Sequence, residues 1–466
     1  MAQPYQLTVA ETAQQIKDNQ LSPVELAQSL LERIDATDKE LQSWVTIDRE
    51  EVLTTAKQLE NEAKQGHSRG LLHGVPVGLK DIFYTSGMKT AAGSKVYADF
   101  VPDFDATTVS KIKEAGGIIL GKAVTTEFAT SDPSPTYNPW NLEHTPGGSS
   151  SGSSVAVSSK TVGAALGSQT GGSTCRPAAY NGIVGLKATY GRISRYGVVP
   201  VSWSLDHVGI LVRTVDDAAL MLQAMAGFDP RDSTSLDKEV PNYTSALNQP
   251  IAGLTIGLPK EFFDSSVDES VQSANHAALA EFEKLGARLI DISLPNSVAG
   301  IPCFYVIAPA EASSNLSRFD GIRYGYRSES YRDLNELYEK TRAEGFGAEV
   351  KRRIMIGTFA LSTGYYDAYY RKAQQIRQVI ANDFREAFRK CDYIAGPTSP
   401  TTAFKLGEKT NDPVSMYMSD IFTITANLAG IPAISIPVGF DNNSLPIGLQ
   451  LTRQSFDEPG LLKLAY

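Results

Sequence analysis

The chain has 466 residues, 42% hydrophobic and 20% charged, which is ample material for a large buried core. Its net charge is −9 and its longest basic run is Lys351-Arg352-Arg353, which argues against direct nucleic-acid binding, since phosphate recognition draws on clustered Lys and Arg. No apolar run approaches the ~20 residues of a membrane span, and Cys175, Cys303 and Cys391 are too far apart for a metal spacing or a disulfide framework. Met1 to Gln20 is polar and unlike a secretory leader, and neither a P-loop nor a GxGxxG turn occurs. The expectation is a cytoplasmic protein with no cofactor, no metal and no membrane contact.

In chain order, Thr8-Val9-Ala10-Glu11 and Ser22-Pro23-Val24-Glu25 read as capping boxes, the second with Pro at the first helical position. Val24, Ala27, Leu30, Leu31 and Ile34 then line one helix face. The run Gly74-Val75-Pro76-Val77-Gly78-Leu79-Lys80-Asp81-Ile82 has the pattern of a buried strand. A helix over 105–115 feeds a strand over 117–121. Helices over 215–226 and 267–285 precede strands over 254–257 and 288–292, and further strands are predicted at 392–396, 432–439 and 447–452. Alternating helix and apolar strand implies an α/β fold, a large sheet covered by helices. No linker or charge block divides the chain, so residues 1–466 read as a single domain. Helices over 1–65 lead it, and the stretch from 303 to 390, dense in helix formers, reads as a helical subdomain.

Chemistry concentrates in two serine-bearing glycine clusters, Gly147-Gly148-Ser149-Ser150-Ser151-Gly152-Ser153-Ser154 and Thr170-Gly171-Gly172-Ser173. The apolar, Ala/Val-rich segment between them can form a helix or a strand. Such turns supply acyl transfer with a nucleophile and with successive N–H groups that hold an oxyanion. Little else in the chain could activate a serine. His207 and His276 alone follow the clusters, the first reading as a satisfied loop or core residue and the second as solvated. Residues 148–152 match the elbow GxSxG, but that elbow needs an acid and a histidine later in the chain, and in so Ser/Gly-rich a run the match is cheap. Cys175, two residues past Ser173 with no histidine nearby, reads as a packed neighbour of the loop. Lys80 is the remaining base. Inside an apolar run it is either a snorkelling or Asp81-paired lysine, or a desolvated amine able to accept a proton.

Together these pieces resemble the amidase signature family. The resemblance is carried by GVPVGLKDI at 74–82, DATTVSKIKEAGGIILGK at 105–122, NPWN at 138–141, PGGSSSGS at 146–153, GSQTGGS at 167–173 and PAAYNGIVGLKATYGRISRYGVVP at 177–200. It implies a large mixed sheet with helices on both faces and a Ser–cis-Ser–Lys triad that cleaves a carboxamide C–N bond through an acyl-enzyme. In that scheme Ser173 is the nucleophile, Ser149 relays the proton from behind a cis peptide bond, and a neutral Lys80 is the ultimate base. The N–H groups of Thr170, Gly171, Gly172 and Ser173 form the oxyanion hole.

Within the family the chain resembles two branches. From about residue 300 it is similar to the A subunits of tRNA-dependent amidotransferases, through APAEASSNLSRFDGIRYGYRSE (308–329), EGFGAEVKRRIMIGTFALSTGYYDAYYRKAQ (344–374), GPTSPTTAFKLGEKTNDP (396–413) and NLAGIPAISIPVGF (427–440). This implies glutamine as the small-molecule amide, with Arg353 binding its α-carboxylate and Asp420 its α-ammonium, and partner B and C subunits. The bland readings are a surface helix charge for Arg353 and a helix-cap carboxylate for Asp420. From 74 to 215 the chain is more like stand-alone amidases acting on aryl or aliphatic amides, esters or carbamates. Gln169 stands where the A subunits carry Asp, Cys175-Arg176 replaces Arg-Gln, Ser151 replaces Gly, and the loop TTEFATSDPSPTYNPWN (125–141) differs.

Overall fold

The computed structural model describes residues 3–130 and 134–466; Met1 and Ala2 of the polar N-terminal stretch, and three positions of the 125–141 loop, lie outside the described residues. The first capping box forms as its spacing predicts. Thr8 accepts from the Glu11 N–H while the Glu11 carboxylate accepts from the Thr8 N–H, opening helix Val9–Lys17. The second is only half closed. Ser22 accepts from the Val24 and Glu25 N–H groups to start helix Pro23–Leu41, but its own hydroxyl donates to Glu60 of helix Arg49–Lys64, leaving Glu25 exposed.

Among the described residues eleven strands follow in chain order: β1 (Trp44–Thr46), β2 (Pro76–Lys80), β3 (Ile118–Ala123), β4 (Ala164–Gln169), β5 (Val184–Lys187), β6 (His207–Val212), β7 (Thr255–Pro259), β8 (Arg288–Ile292), β9 (Tyr393–Pro397), β10 (Ala433–Phe440) and β11 (Pro446–Thr452). They form one mixed sheet in the order β1-β3-β2-β4-β6-β5-β10-β11-β9-β7-β8. The ladders of β2 with β3 and β4, and of β7 with β8 and β9, are parallel; the others are antiparallel.

Every residue of β2, β4, β5, β6, β9 and β11 is buried, so both faces of the middle of the sheet are covered. Alternation along β4 shows how. Ala164 and Leu166 pack into one apolar cluster with helix Val215–Met225, whereas Ala165 packs into another with Ala156 and Val157 of helix Ser151–Ser158. The segment between the glycine clusters is therefore both a helix and a strand. The C-terminal β10 and β11 lie in the middle of the sheet and join β5 to β9, so residues distant in sequence meet there. The 303–390 stretch is occupied by helices Gly300–Leu316, Leu334–Gly345, Ala348–Leu361, Asp367–Arg371 (a π-helical turn) and Lys372–Ala387. Phe304 and Ile307 from the first of these share an apolar cluster with Phe422 and with Ile394 of β9. Among the described residues no helix is long and apolar enough to cross a membrane.

Candidate active site

The parallel strands β2 and β4 end side by side, and the site lies at their carboxyl ends. Lys80 is the last residue of β2 and is fully buried. Its Nζ lies 2.7 Å from Ser149 Oγ, 2.8 Å from Ser168 Oγ and 3.1 Å from Ser150 Oγ. Asp81 is turned elsewhere: Oδ2 accepts from the Ala91 N–H at 3.0 Å, and Oδ1 stands 3.9 Å from Nζ of Lys122. The ion pair open to Asp81 in the sequence is thus made with Lys122. Burial pushes the Asp81 carboxyl up to about 6, against the opposing pull of Lys122, and pushes Lys122 down to about 8.

Ser149 precedes helix Ser151–Ser158, and the Gly148–Ser149 peptide is cis. Ser150, the central serine of the GxSxG match, is no exposed elbow. It is fully buried, and its hydroxyl donates to the Ser168 carbonyl and accepts from the Ser168 N–H, both at 3.2 Å.

Beyond β4 the chain turns through Thr170–Thr174 into helix Cys175–Asn181. Gln169 fixes this turn: its Oε1 accepts from the N–H groups of Thr174 (3.0 Å) and Cys175 (2.9 Å), a cap supplied from five residues upstream. Thr170 donates its hydroxyl to Asp206 at 2.6 Å, and its carbonyl accepts from the Asn427 amide. Among the described residues no protein acceptor meets the N–H groups of Thr170, Gly171, Gly172 or Ser173. Cys175 is sealed in the core and burial pushes its thiol up to about 12, as a packed neighbour requires. His207 opens β6, buried beside Lys187, with Nδ1 at 2.6 Å from the Leu205 carbonyl; His276 is exposed.

Ser149 and Thr170–Ser173 form one wall of a cavity of about 340 Å³. Arg353 and Asp420 line the same cavity, so of the triad, oxyanion-hole and substrate positions expected from the sequence only Lys80, hydrogen-bonded to Ser149, is absent from its lining. Arg353, on helix Ala348–Leu361, is buried rather than a surface charge. Its Nε donates to Glu349 at 2.9 Å, and its guanidinium stands 5.4 Å from the Tyr305 ring centre and 5.9 Å from that of Tyr417. Those rings stack at 3.6 Å, and the Tyr417 hydroxyl donates to Glu349 at 2.9 Å. Asp420 precedes helix Ile421–Ala429 but its side chain makes no cap hydrogen bond; its Oδ1 accepts from Arg176 Nε at 2.7 Å. Sequence reasoning missed Ser150, Ser168, Arg176, Tyr305 and Glu349 as members of the site. Ser150 and Arg176 stood in the sequence only as part of a serine run and as a departure from the A subunits, and Glu349 left a signal in lying four residues before Arg353 at ion-pair spacing on a helix.

Comparison with known proteins supplies the class. The chain belongs to the amidase family, whose profile matches residues 25–462, and is an amidohydrolase. It is 51% identical to the A subunit of glutamyl-tRNA(Gln) amidotransferase from Carboxydothermus hydrogenoformans, over 99% of this chain and 96% of that protein, and 51% identical to its counterpart from Pseudomonas putida over the same shares. Among solved structures, the glutamyl-tRNA(Gln) amidotransferase A subunit from Thermotoga maritima superposes with a TM-score of 0.81 at 38% identity, covering 99% of this chain and 94% of that one. The peptide amidase from Stenotrophomonas maltophilia superposes with a TM-score of 0.84 at 30% identity, covering 100% and 97%. The A-subunit match spans the N-terminal half as well as the C-terminal half.

Proposed function

We propose that the chain hydrolyses free glutamine to glutamate and ammonia in the cytoplasm, as the A subunit of a tRNA-dependent amidotransferase whose B and C partners use the ammonia. One observation carries the reading: Ser149, Ser173, Arg353 and Asp420 line one cavity, the last two complementary to an amino acid's carboxylate and ammonium. Full-length identity to A subunits supports it.

In this mechanism Lys80 is the neutral base, because a fully buried amine among hydroxyls is penalised for holding a proton. Lys80 takes the Ser149 proton as Ser149 takes that of Ser173, and Ser173 Oγ attacks the carboxamide carbon. The N–H groups of Thr170 to Ser173 hold the oxyanion. Collapse breaks the C–N bond, the relayed proton leaves with ammonia, and water entering by the same relay hydrolyses the acyl-serine to glutamate.

The test is ammonia release from glutamine, by the chain alone and with B and C subunits. Partners are expected to raise kcat/KM about tenfold or more, and Lys80→Ala or Ser173→Ala to lower kcat by about 10³-fold or more. Full turnover by Ser173→Ala ends the mechanism. Rapid anilide hydrolysis by the lone chain, with glutamine inert in both assemblies, replaces the subunit reading with a stand-alone amidase.

A further inference from the structure

Arg353 and the serines reach the cavity on separate parts of the chain, Arg353 on helix Ala348–Leu361 and Ser149 and Ser173 on the two glycine-rich loops. A glutamine must span them, its carboxylate at one and its carboxamide at the other, so the contacts that join these parts govern how well one molecule fits both. Glu127 makes such a join. It opens the short 3-10 turn Glu127–Ala129 and itself lines the cavity. The N–H just before it, of Thr126, donates to the Ser149 carbonyl at 3.3 Å. Its carboxylate reaches the start of the Arg353 helix, where Oε2 accepts from the Gly347 N–H at 2.9 Å, while Oε1 accepts from the Ser94 hydroxyl at 2.6 Å. Phe128 adds a second grip, its ring edge-on to Phe346 with centroids 5.9 Å apart.

The helix needs this contact because its own sequence provides no cap. Gly347 is the N-cap and carries no side chain, and Val350 at the third helical position cannot complete a capping box. From 220 residues away, Glu127 places on the N-cap N–H the carboxylate that a capping-box glutamate would supply, at the end of the helix whose dipole favours negative charge. Two residues beyond Gly347, Glu349 accepts from Arg353 Nε and from the Tyr417 hydroxyl, so a shift of the helix start passes to Arg353 through one side chain. The approach is close. A Cβ at Gly347 would stand 2.4 Å from Glu127 Oε2, although the backbone there, φ −68° and ψ 170°, suits any residue.

We propose that Glu127 is a positioning residue for this reaction, holding Arg353 at the distance from Ser149 and Ser173 that lets one glutamine molecule meet all three. This deepens, and rests on, the reading of the cavity as a glutaminase site. The test is ammonia release from glutamine by the chain assembled with B and C subunits. Glu127→Ala is expected to raise KM about fivefold with kcat held within about threefold, and Gly347→Ala, which breaks the contact from the other side, to do the same. Glu127→Gln, whose amide can accept from Gly347 and donate to Ser94, should keep KM within about twofold of wild type. In Glu127→Ala/Gly347→Ala the second change should add less than about twofold, since the side chain it would strike is gone. Should Glu127→Ala fail to fold, Gly347→Ala decides on its own. Unchanged KM in the folded single variants, or independent effects that multiply in the double variant, overturns the proposal. So does a rise of about fivefold in Glu127→Gln, which would make the Glu127 charge a direct substrate contact. Those outcomes leave glutamine hydrolysis by the wild type intact, whereas hydrolysis of hexanamide with glutamine inert overturns the glutaminase reading and the proposal with it.

Discussion

A methyl group on Gly172 would stand 1.9 Å from Asp420 Oδ1 and 2.5 Å from Thr423 Oγ1. Neither neighbour can yield cheaply. Asp420 is held by Arg176, and Thr423 donates its hydroxyl to the Asp420 carbonyl at 3.0 Å. Glycine is thus needed at 172 for the contact between the serine loop and the carboxylate, and Gly172→Ala must push the two apart. It is expected to lower kcat/KM about tenfold or more in an ammonia-release assay, a loss of about 1.4 kcal/mol in transition-state binding. An unchanged kcat/KM would show that the loop and Asp420 can separate without consequence. Lys80 illustrates a different kind of constraint. It was legible in the sequence because a lysine in an otherwise apolar strand breaks the pattern around it. Its environment was not: Ser150 and Ser168 are two serines among many, and only the β2–β4 register and the start of helix Ser151–Ser158 bring them to its amine.

Among the elements, helix Cys175–Asn181 depends most visibly on a distant side chain. Its N-cap residue Thr174 makes no side-chain cap bond, and Gln169 at the end of β4 supplies the missing acceptor for two N–H groups. Gln169 is fully buried, so Gln169→Leu leaves both donors without water or partner. The variant should lose about 1–3 kcal/mol of unfolding free energy in urea, and kcat should fall with it because the same turn carries Ser173. A loss under about 0.5 kcal/mol would mean that the turn finds another acceptor. No local sequence rule reveals this cap, since the partners lie on opposite sides of the glycine loop. The strands divide in the same way. Those with flanking helices and Gly/Pro punctuation, such as β3, β7, β8 and β9, were readable within a residue or two. Of those the pattern did not predict, β1 is three residues at an edge, while β5 and β6 are buried on both faces and so lack alternation.

The molecule as a whole buries charge-bearing groups across its sheet, and this gives its stability a pH dependence traceable to single positions. His207, in β6 near the middle of the sheet, is held well below its ordinary pKa, first by burial and then by the neighbouring Lys187, whose Nζ lies 3.4 Å from Nε2. Arg195 adds to the same effect, and burial pushes Lys187 itself down to about 7. A histidine that cannot take up a proton in the folded state, but does so when unfolded, withdraws stability as pH falls through its unfolded value near 6.5. Two carboxyls act in the opposite sense. Asp81 and Asp217 are both pushed up to about 6 by burial, so below pH 6 the folded chain binds protons that the unfolded chain does not yet hold. The wild-type profile sums these terms, and the histidine is isolated only as a difference between proteins. Unfolding free energies in urea for wild type and His207→Gln, compared at pH 7.5 and 5.5, provide that difference. Wild type is expected to lose about 1.4 kcal/mol more than the variant over this interval, the value for one extra proton bound by the unfolded chain. Parallel profiles would mean that His207 protonates in place, with Lys187 and Arg195 moving to admit a second charge.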